Sequence, residues 1–215
     1  PEIPGKREIA IYTFLLQKFL EKKIMSRFYT NKENVQGKII TISGDEAHHI
    51  LNVMRLTDGD KIIIFDGTGS EYHSFIKESN PKSKNLVCEI IQTKRPLKET
   101  LPKVTLAQAV PKKTKMDYIV EKATELGVFE IIPIISDRTI VRPDGVSSSK
   151  KVDRWNKLAI TASKQCGRVS IPIVRDFTMY KDILTKLDAY DLILMAHLEE
   201  GTFPLKEAIK EFTNG

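Results

Sequence analysis

The sequence predicts an α/β protein in two parts, a small β-barrel followed by a domain of alternating strands and helices. Three observations carry that prediction. From Gly37 to Arg95, short apolar runs alternate with turn residues, the pattern of several strands around tight turns. From Lys103 to Arg142 the pattern changes to strand, helix, strand. Between the two lies Thr93 to Pro102, a charged stretch with two prolines, where the domain boundary is placed.

Whole-chain numbers bound the function. The chain has 215 residues, 41% hydrophobic and 29% charged, enough for one large or two modest globular domains. Its net charge of +6 tilts the partner towards nucleic acid or another polyanion. Cys88 and Cys166 are too few and too far apart for a disulfide framework or a zinc site, which fits a reducing cytosol. No apolar run approaches membrane-spanning length. A cytoplasmic protein with no metal and no membrane partner is therefore expected.

Residues 1–24 differ in character from the rest of the chain. Ile11, Phe14, Leu15, Phe19 and Leu20 form an amphipathic helix pattern flanked by lysines, without the small-residue cleavage site of a signal peptide. The segment reads as an extension ahead of a start at Met25. In the β-rich part, Lys38–Ile42 is a strand, and Asp45–Met54 is a short helical stretch carrying His48 and His49. Lys61–Phe65 and Glu71–Ile76 flank the turn Asp66-Gly67-Thr68-Gly69 as a hairpin, and Asn85–Gln92 supplies another strand. Adjacent histidines on a helix point apart, and nothing completes a metal set, so packing or hydrogen bonding is the favoured role. Arg27 and Arg55 are the phosphate-contact candidates of this half, although each is also an ordinary surface residue.

In the second part, Val104–Val110 and Val128–Ile135 are strands. Met116, Ile119, Val120, Ala123 and Leu126 mark the apolar face of the helix between them. Thr114 is its N-cap, with Asp117 three residues on, and Gly127 its C′ glycine. Strands joined in this way are parallel and end on one sheet edge, where ligands of open α/β sheets bind. Lys112, Lys113, Lys115, Arg138 and Arg142 converge there. Two readings stand, a solvated basic rim or a phosphate-binding edge. Further on, Ser147–Ser149 begin a second helix with Val152, Trp155, Leu158, Ala159 and Ala162 on its apolar face, ended by Gly167. A short strand at Ile171–Val174, a helix at Tyr180–Leu187, a buried strand at Asp191–Ala196 and a last helix at Pro204–Phe212 complete the pattern. Cys166 reads as a packed thiol beside the apolar face rather than a nucleophile.

Several blocks of residues together resemble one family. These are Met25-Ser26-Arg27-Phe28-Tyr29; His48-His49 with Val53-Met54-Arg55 and Gly59-Asp60; the run Lys115 to Val128; and Arg154-Trp155 followed by Ala162, Gln165, Arg168 and Ile171-Pro172. In order and spacing they are similar to the RsmE family of 16S rRNA uracil-N3 methyltransferases, from Met25 onward. The resemblance implies a PUA-like RNA-binding β-barrel over residues 25–95 and a SPOUT methyltransferase domain, a trefoil-knot α/β fold, over 96–215. It implies S-adenosyl-L-methionine as cofactor, a homodimer, and 16S rRNA or the small ribosomal subunit as partner. Arg168 becomes the candidate contact to the target nucleotide. Ala196, His197 and Leu198 become the candidate wall of the cofactor pocket, with Glu199 and Glu200 able to favour a sulfonium. Two positions depart from the family pattern: Thr161 and Lys164 stand where the family carries glutamates. The family also continues with a glycine-rich loop and a final arginine-containing helix segment beyond the point matching Gly215, so the SPOUT domain is expected to be incomplete and, if the chain ends there, to bind S-adenosyl-L-methionine poorly or not at all. The competing expectation is a non-catalytic RNA-binding protein using the barrel and the basic edge.

Overall fold

The computed structural model describes residues 26–95, 102–112, 114–139, 145–196 and 204–214. The helix expected within residues 1–24 lies outside them. In the first part, β1 (Arg27–Tyr29), β2 (Val35–Gln36), β3 (Ile39–Ser43), β4 (Lys61–Phe65), β5 (Glu71–Asn80) and β6 (Asn85–Lys94) form one sheet in the order β1-β4-β5-β6-β3-β2. The helix α1 (Gly44–His48) runs directly into a π-helical turn at His49–Val53. Period-two alternation sends Ile40 and Ile42, Ile62 and Ile64, Tyr72 and Ile76, and Leu86 and Cys88 to one face. They meet Phe28 of β1 and Ala47, Ile50 and Leu51 of the helical segment in a single core. Strands from both ends of the sheet order feed that one core, so the sheet is curled around it.

The hairpin turn after β4 is pinned by a buried carboxylate. Asp66 accepts from the Thr68 N–H at 2.9 Å, the Thr68 hydroxyl at 2.7 Å, the Tyr72 hydroxyl at 2.8 Å and Lys32 Nζ at 3.1 Å. Burial alone would raise its pKa, but these donors outweigh it and hold the carboxyl below the usual range.

The second part contains β7 (Thr105–Ala109), α2 (Lys115–Glu125), β8 (Glu130–Ile135), α3 (Gly145–Cys166), β9 (Ile173–Val174), β10 (Thr178–Met179), α4 (Tyr180–Leu184) and α5 (Leu205–Asn214). As expected, β7 and β8 are parallel, with Thr105 beside Glu130 and Ala109 beside Ile134. Both β9 and β10 pair parallel to the other side of β8, at Glu130–Ile131 and Ile134–Ile135, and act as one interrupted strand. The core joins Met116 and Val120 of α2, Val152, Trp155 and Ala159 of α3, and Ile131 and Val174 of the sheet. Gly127, at φ +98°, closes α2: its N–H reaches Thr124 O at 3.1 Å and the Val128 N–H reaches Ala123 O at 3.0 Å.

Four local expectations are corrected. Thr114 occupies the N-cap position of α2 without a side-chain cap bond. The acidic residue three positions on is turned to α3 instead, where Asp117 accepts from Trp155 Nε1 at 3.0 Å and from Arg154 at 2.5 Å. Leu126 lies past the last full turn and is 87% exposed, while Thr124 takes the buried position and satisfies its hydroxyl on Val120 O at 2.7 Å. Cys166 is exposed, because the last turn of α3 rotates it off the apolar face. The run Asp191–Ala196 is neither a strand nor buried; Leu192, Ile193, Leu194 and Met195 are exposed. No ladder partner meets it among the described residues, and an unpaired strand leaves its backbone groups to water. Among the described residues no helix is long and apolar enough to cross a membrane.

Candidate nucleic-acid interface

The parallel strands deliver their carboxyl ends to one edge. There β7 runs into Lys112, which is exposed, and α2 opens with exposed Lys115. Next to them β8 runs into a tight turn. The Ser136 N–H donates to Thr139 Oγ1 at 2.9 Å and the Thr139 N–H to Ser136 O at 3.0 Å, with Thr139 itself buried. That closure holds Asp137 and Arg138 outward at its tip. Opposite the turn, β10 runs into Tyr180 and Lys181, and a cavity of about 250 Å³ opens between the two strand ends. Lys113 and Arg142 lie outside the described residues. Tyr180 and Lys181 were missed in the sequence, because a two-residue strand leaves almost no alternation to mark where it ends.

A second cluster joins the two parts of the chain, and it absorbs two of the predicted site residues. The Arg27 guanidinium pairs with Glu71, donates to Arg168 O at 3.3 Å and lies 5.2 Å above the Phe65 ring. Arg168 Nη1 donates to Thr124 O and to Val128 O, both at 2.9 Å, bracing the end of α2. Contact with a nucleotide would require Arg168 to give up those carbonyls, and Arg27 its carboxylate. Both arginines therefore brace the fold, whatever part they take in the contacts to phosphate and target nucleotide expected of Arg27 and Arg168. Around them the backbone continues across the joint: Ile171 N–H to Gly67 O at 3.1 Å and Gly69 N–H to Val169 O at 3.2 Å. Gly67 has φ +75°, and a Cβ there would stand 2.8 Å from Ile171 Cδ1, so the isoleucine side chain would have to shift.

Lys164, one of the departures from the family pattern, belongs to this joint. Its ammonium reaches both oxygens of Glu46 at 2.8 Å, and Glu46 also accepts the Tyr29 N–H at 2.9 Å. The lysine is matched by an acid 118 positions earlier. Thr161, the other departure, turns its hydroxyl back onto Lys157 O at 3.0 Å.

On the barrel, Arg55 remains a phosphate candidate. It is exposed, sits directly after the π-helical turn and has φ +56°, a conformation that side-chain-bearing residues seldom adopt and that tends to mark functional positions. His48 and His49 are both exposed, with the His49 ring edge-on to Phe28 at 6.0 Å, so packing describes His49. No group of metal-ligating side chains forms among the described residues. Ala196 is exposed and lines neither this cavity nor the one at the start of α3; His197 and Leu198 lie outside the described residues.

Comparison with known proteins narrows what this arrangement belongs to. Residues 98–214 match the model of an RNA methyltransferase domain, and residues 42–89 that of an RNA methyltransferase PUA domain. Ribosomal RNA small subunit methyltransferase E of Bacillus subtilis is 33% identical over 181 residues, covering 82% of this chain and 70% of that protein. Its counterpart in Buchnera aphidicola (Schizaphis graminum) is 31% identical over 157 residues, covering 72% of this chain and 62% of that one. Among solved structures, the same enzyme from Neisseria gonorrhoeae, bound to S-adenosyl methionine, superposes with a TM-score of 0.67 at 31% identity, covering 76% of this chain and 66% of that one. The chain thus spans about two thirds of the proteins it matches. With the barrel, the parallel sheet and both domain matches in the same order, the chain belongs to the ribosomal RNA small subunit methyltransferase E family.

Proposed function

We propose that this chain takes part in N3-methylation of a uridine in 16S rRNA of the small ribosomal subunit, using S-adenosyl-L-methionine, in the cytoplasm and as a homodimer. The observation that supports it most is the pairing of a PUA-like barrel with a parallel sheet whose carboxyl edge carries Lys112, Lys115, Arg138 and Lys181. The bound cofactor supplies the electrophilic methyl group. What the described residues supply is the RNA side. Removing the N3 proton leaves negative charge spread over N3 and the flanking carbonyl oxygens, and fixed cations at a sheet edge stabilise such charge without reorganising. N3 is engaged in base pairing, so the target nucleotide must be single-stranded or turned out. Arg55 and Lys112 are the described phosphate contacts of this reading, with Lys113 and Arg142 as its undescribed members. Of the pocket wall proposed for Ala196, His197 and Leu198, Ala196 is the described member, and it is exposed.

The test is calorimetric titration of S-adenosylmethionine into the chain, alongside transfer of labelled methyl to small subunits lacking the modification. Saturable binding by the chain extended to the length of its relatives, with label at a uridine N3, is expected. RNA binding with neither cofactor binding nor transfer would leave this chain as an RNA-binding module.

A further inference from the structure

We infer that the cavity between the ends of β8 and β10 is a nucleotide subsite for single-stranded RNA, in which a base stacks on Tyr180 while Arg138 and Lys181 hold its phosphate. The inference rests on the RNA reading above and adds a site to it. One wall is the closed turn Ser136-Asp137-Arg138, the other Met179-Tyr180-Lys181. The strand register fixes how they face each other: Met179 is beside Ile135, so the two segments leave the sheet side by side. Tyr180 is 42% exposed and Arg138 and Lys181 are exposed; none of the three has a hydrogen-bond or ion-pair partner among the described residues. Their surroundings separate them from Arg27 and Arg168, whose terminal nitrogens are held by Glu71 and by backbone carbonyls.

Size and charge select the occupant. A volume of about 250 Å³ is below the usual range for whole small-molecule sites and suits one nucleotide. Two cations against the single carboxylate of Asp137 favour an anion and disfavour a sulfonium. The floor, Ile135 with Met179, is apolar, and an exposed aromatic ring beside paired cations is the recurring device of sequence-tolerant single-strand binding. A free phosphate would use the cations but not the ring.

The experiment is fluorescence anisotropy of the full chain with a labelled uridine-rich RNA of about ten nucleotides, within the usual site sizes of single-strand binders. Tyr180→Ala should weaken binding roughly tenfold and Tyr180→Phe should leave it near wild type, as a stacked base loses about that much when its platform is truncated. An otherwise identical RNA with abasic residues should be indifferent to Tyr180. Arg138→Ala and Lys181→Ala should each lower the salt slope by roughly 0.7. If Tyr180→Ala binds like wild type while Arg55→Ala and Lys112→Ala still reduce the slope, the subsite is refuted and the RNA reading stands. If wild type binds no RNA, both fail together. Competition by uridine monophosphate at the same strength as the RNA would make this a free-nucleotide site and overturn the inference.

Discussion

The Lys164–Glu46 pair offers a quantitative test of how the two domains are joined. Each side chain is 21% exposed and both carboxylate oxygens accept from Nζ at 2.8 Å, so the pair sits between surface and interior. Exposed pairs couple by about 0.2–1 kcal/mol, whereas stripping one partner from a buried pair costs about 3–5 kcal/mol. At this exposure a coupling of about 1–2 kcal/mol is expected from the cycle Lys164→Met, Glu46→Gln and the double variant. Glutamine keeps an oxygen for the Tyr29 N–H; alanine does not. Glu46→Ala should therefore cost about 1–3 kcal/mol more than Glu46→Gln, the penalty of leaving that amide without an acceptor. Urea unfolding at low and high salt is the assay. The coupling should shrink but persist in high salt, because a pair four-fifths shielded from water is only partly screened. Additivity of the two single variants within about 0.3 kcal/mol would refute the reasoning.

Arg168→Lys should lower stability by about 2–3 kcal/mol, since an ammonium cannot bridge Thr124 O and Val128 O as the guanidinium does. A stable variant that has instead lost RNA affinity would return Arg168 to the target nucleotide. Gly67→Ala, with its Cβ 2.8 Å from Ile171 Cδ1, should cost about 2–4 kcal/mol by denaturation, whereas Gly69→Ala, strained in φ but facing open space, should cost about 1 kcal/mol. Burial pushes the Cys88 thiol up to about 12, so at neutral pH only Cys166 should react promptly with a disulfide reagent, and both thiols once the chain is unfolded. The folded Asp66 carboxyl is held below its ordinary value, so its stabilisation is present above about pH 4 and is lost as pH falls through the lower folded value. Asp66→Asn should flatten that acid limb in a pH series of melting temperatures.

Much of this architecture was legible because it is written in local periods. The alternation of Ile40, Ile42, Ile62 and Ile64 and the helical spacing of Met116 and Val120 each specify a buried face within a few residues. Contacts between distant segments were not legible. Nothing around Arg27 or Arg168 distinguishes a phosphate ligand from a brace for carbonyls, because the deciding partners lie 44 and 40 positions or more away. Lys164 reads as a loss of family charge until Glu46 is placed against it. Asp117 and the Arg154-Trp155 block, read separately as family markers, turn out to be two sides of one contact between α2 and α3.

The same contrast explains which cations can serve RNA. Lys112, Lys115, Arg138 and Lys181 stand where parallel strands end, and sheet hydrogen bonds are already complete in the residues just before them. A strand end presents its next side chains without needing them for the ladder. Arg27 and Arg168, by contrast, lie where two domains meet, and their terminal guanidinium nitrogens are engaged there with Glu71 and with backbone carbonyls. Backbone hydrogen bonds between Gly67 and Ile171 and between Gly69 and Val169 lock that joint, with Lys164 and Glu46 beside it. The barrel carrying Arg55 is thereby held in fixed relation to the sheet edge. An RNA strand that engaged both cationic surfaces would meet the second at a higher effective concentration than on two loosely tethered modules, provided its path matches their spacing.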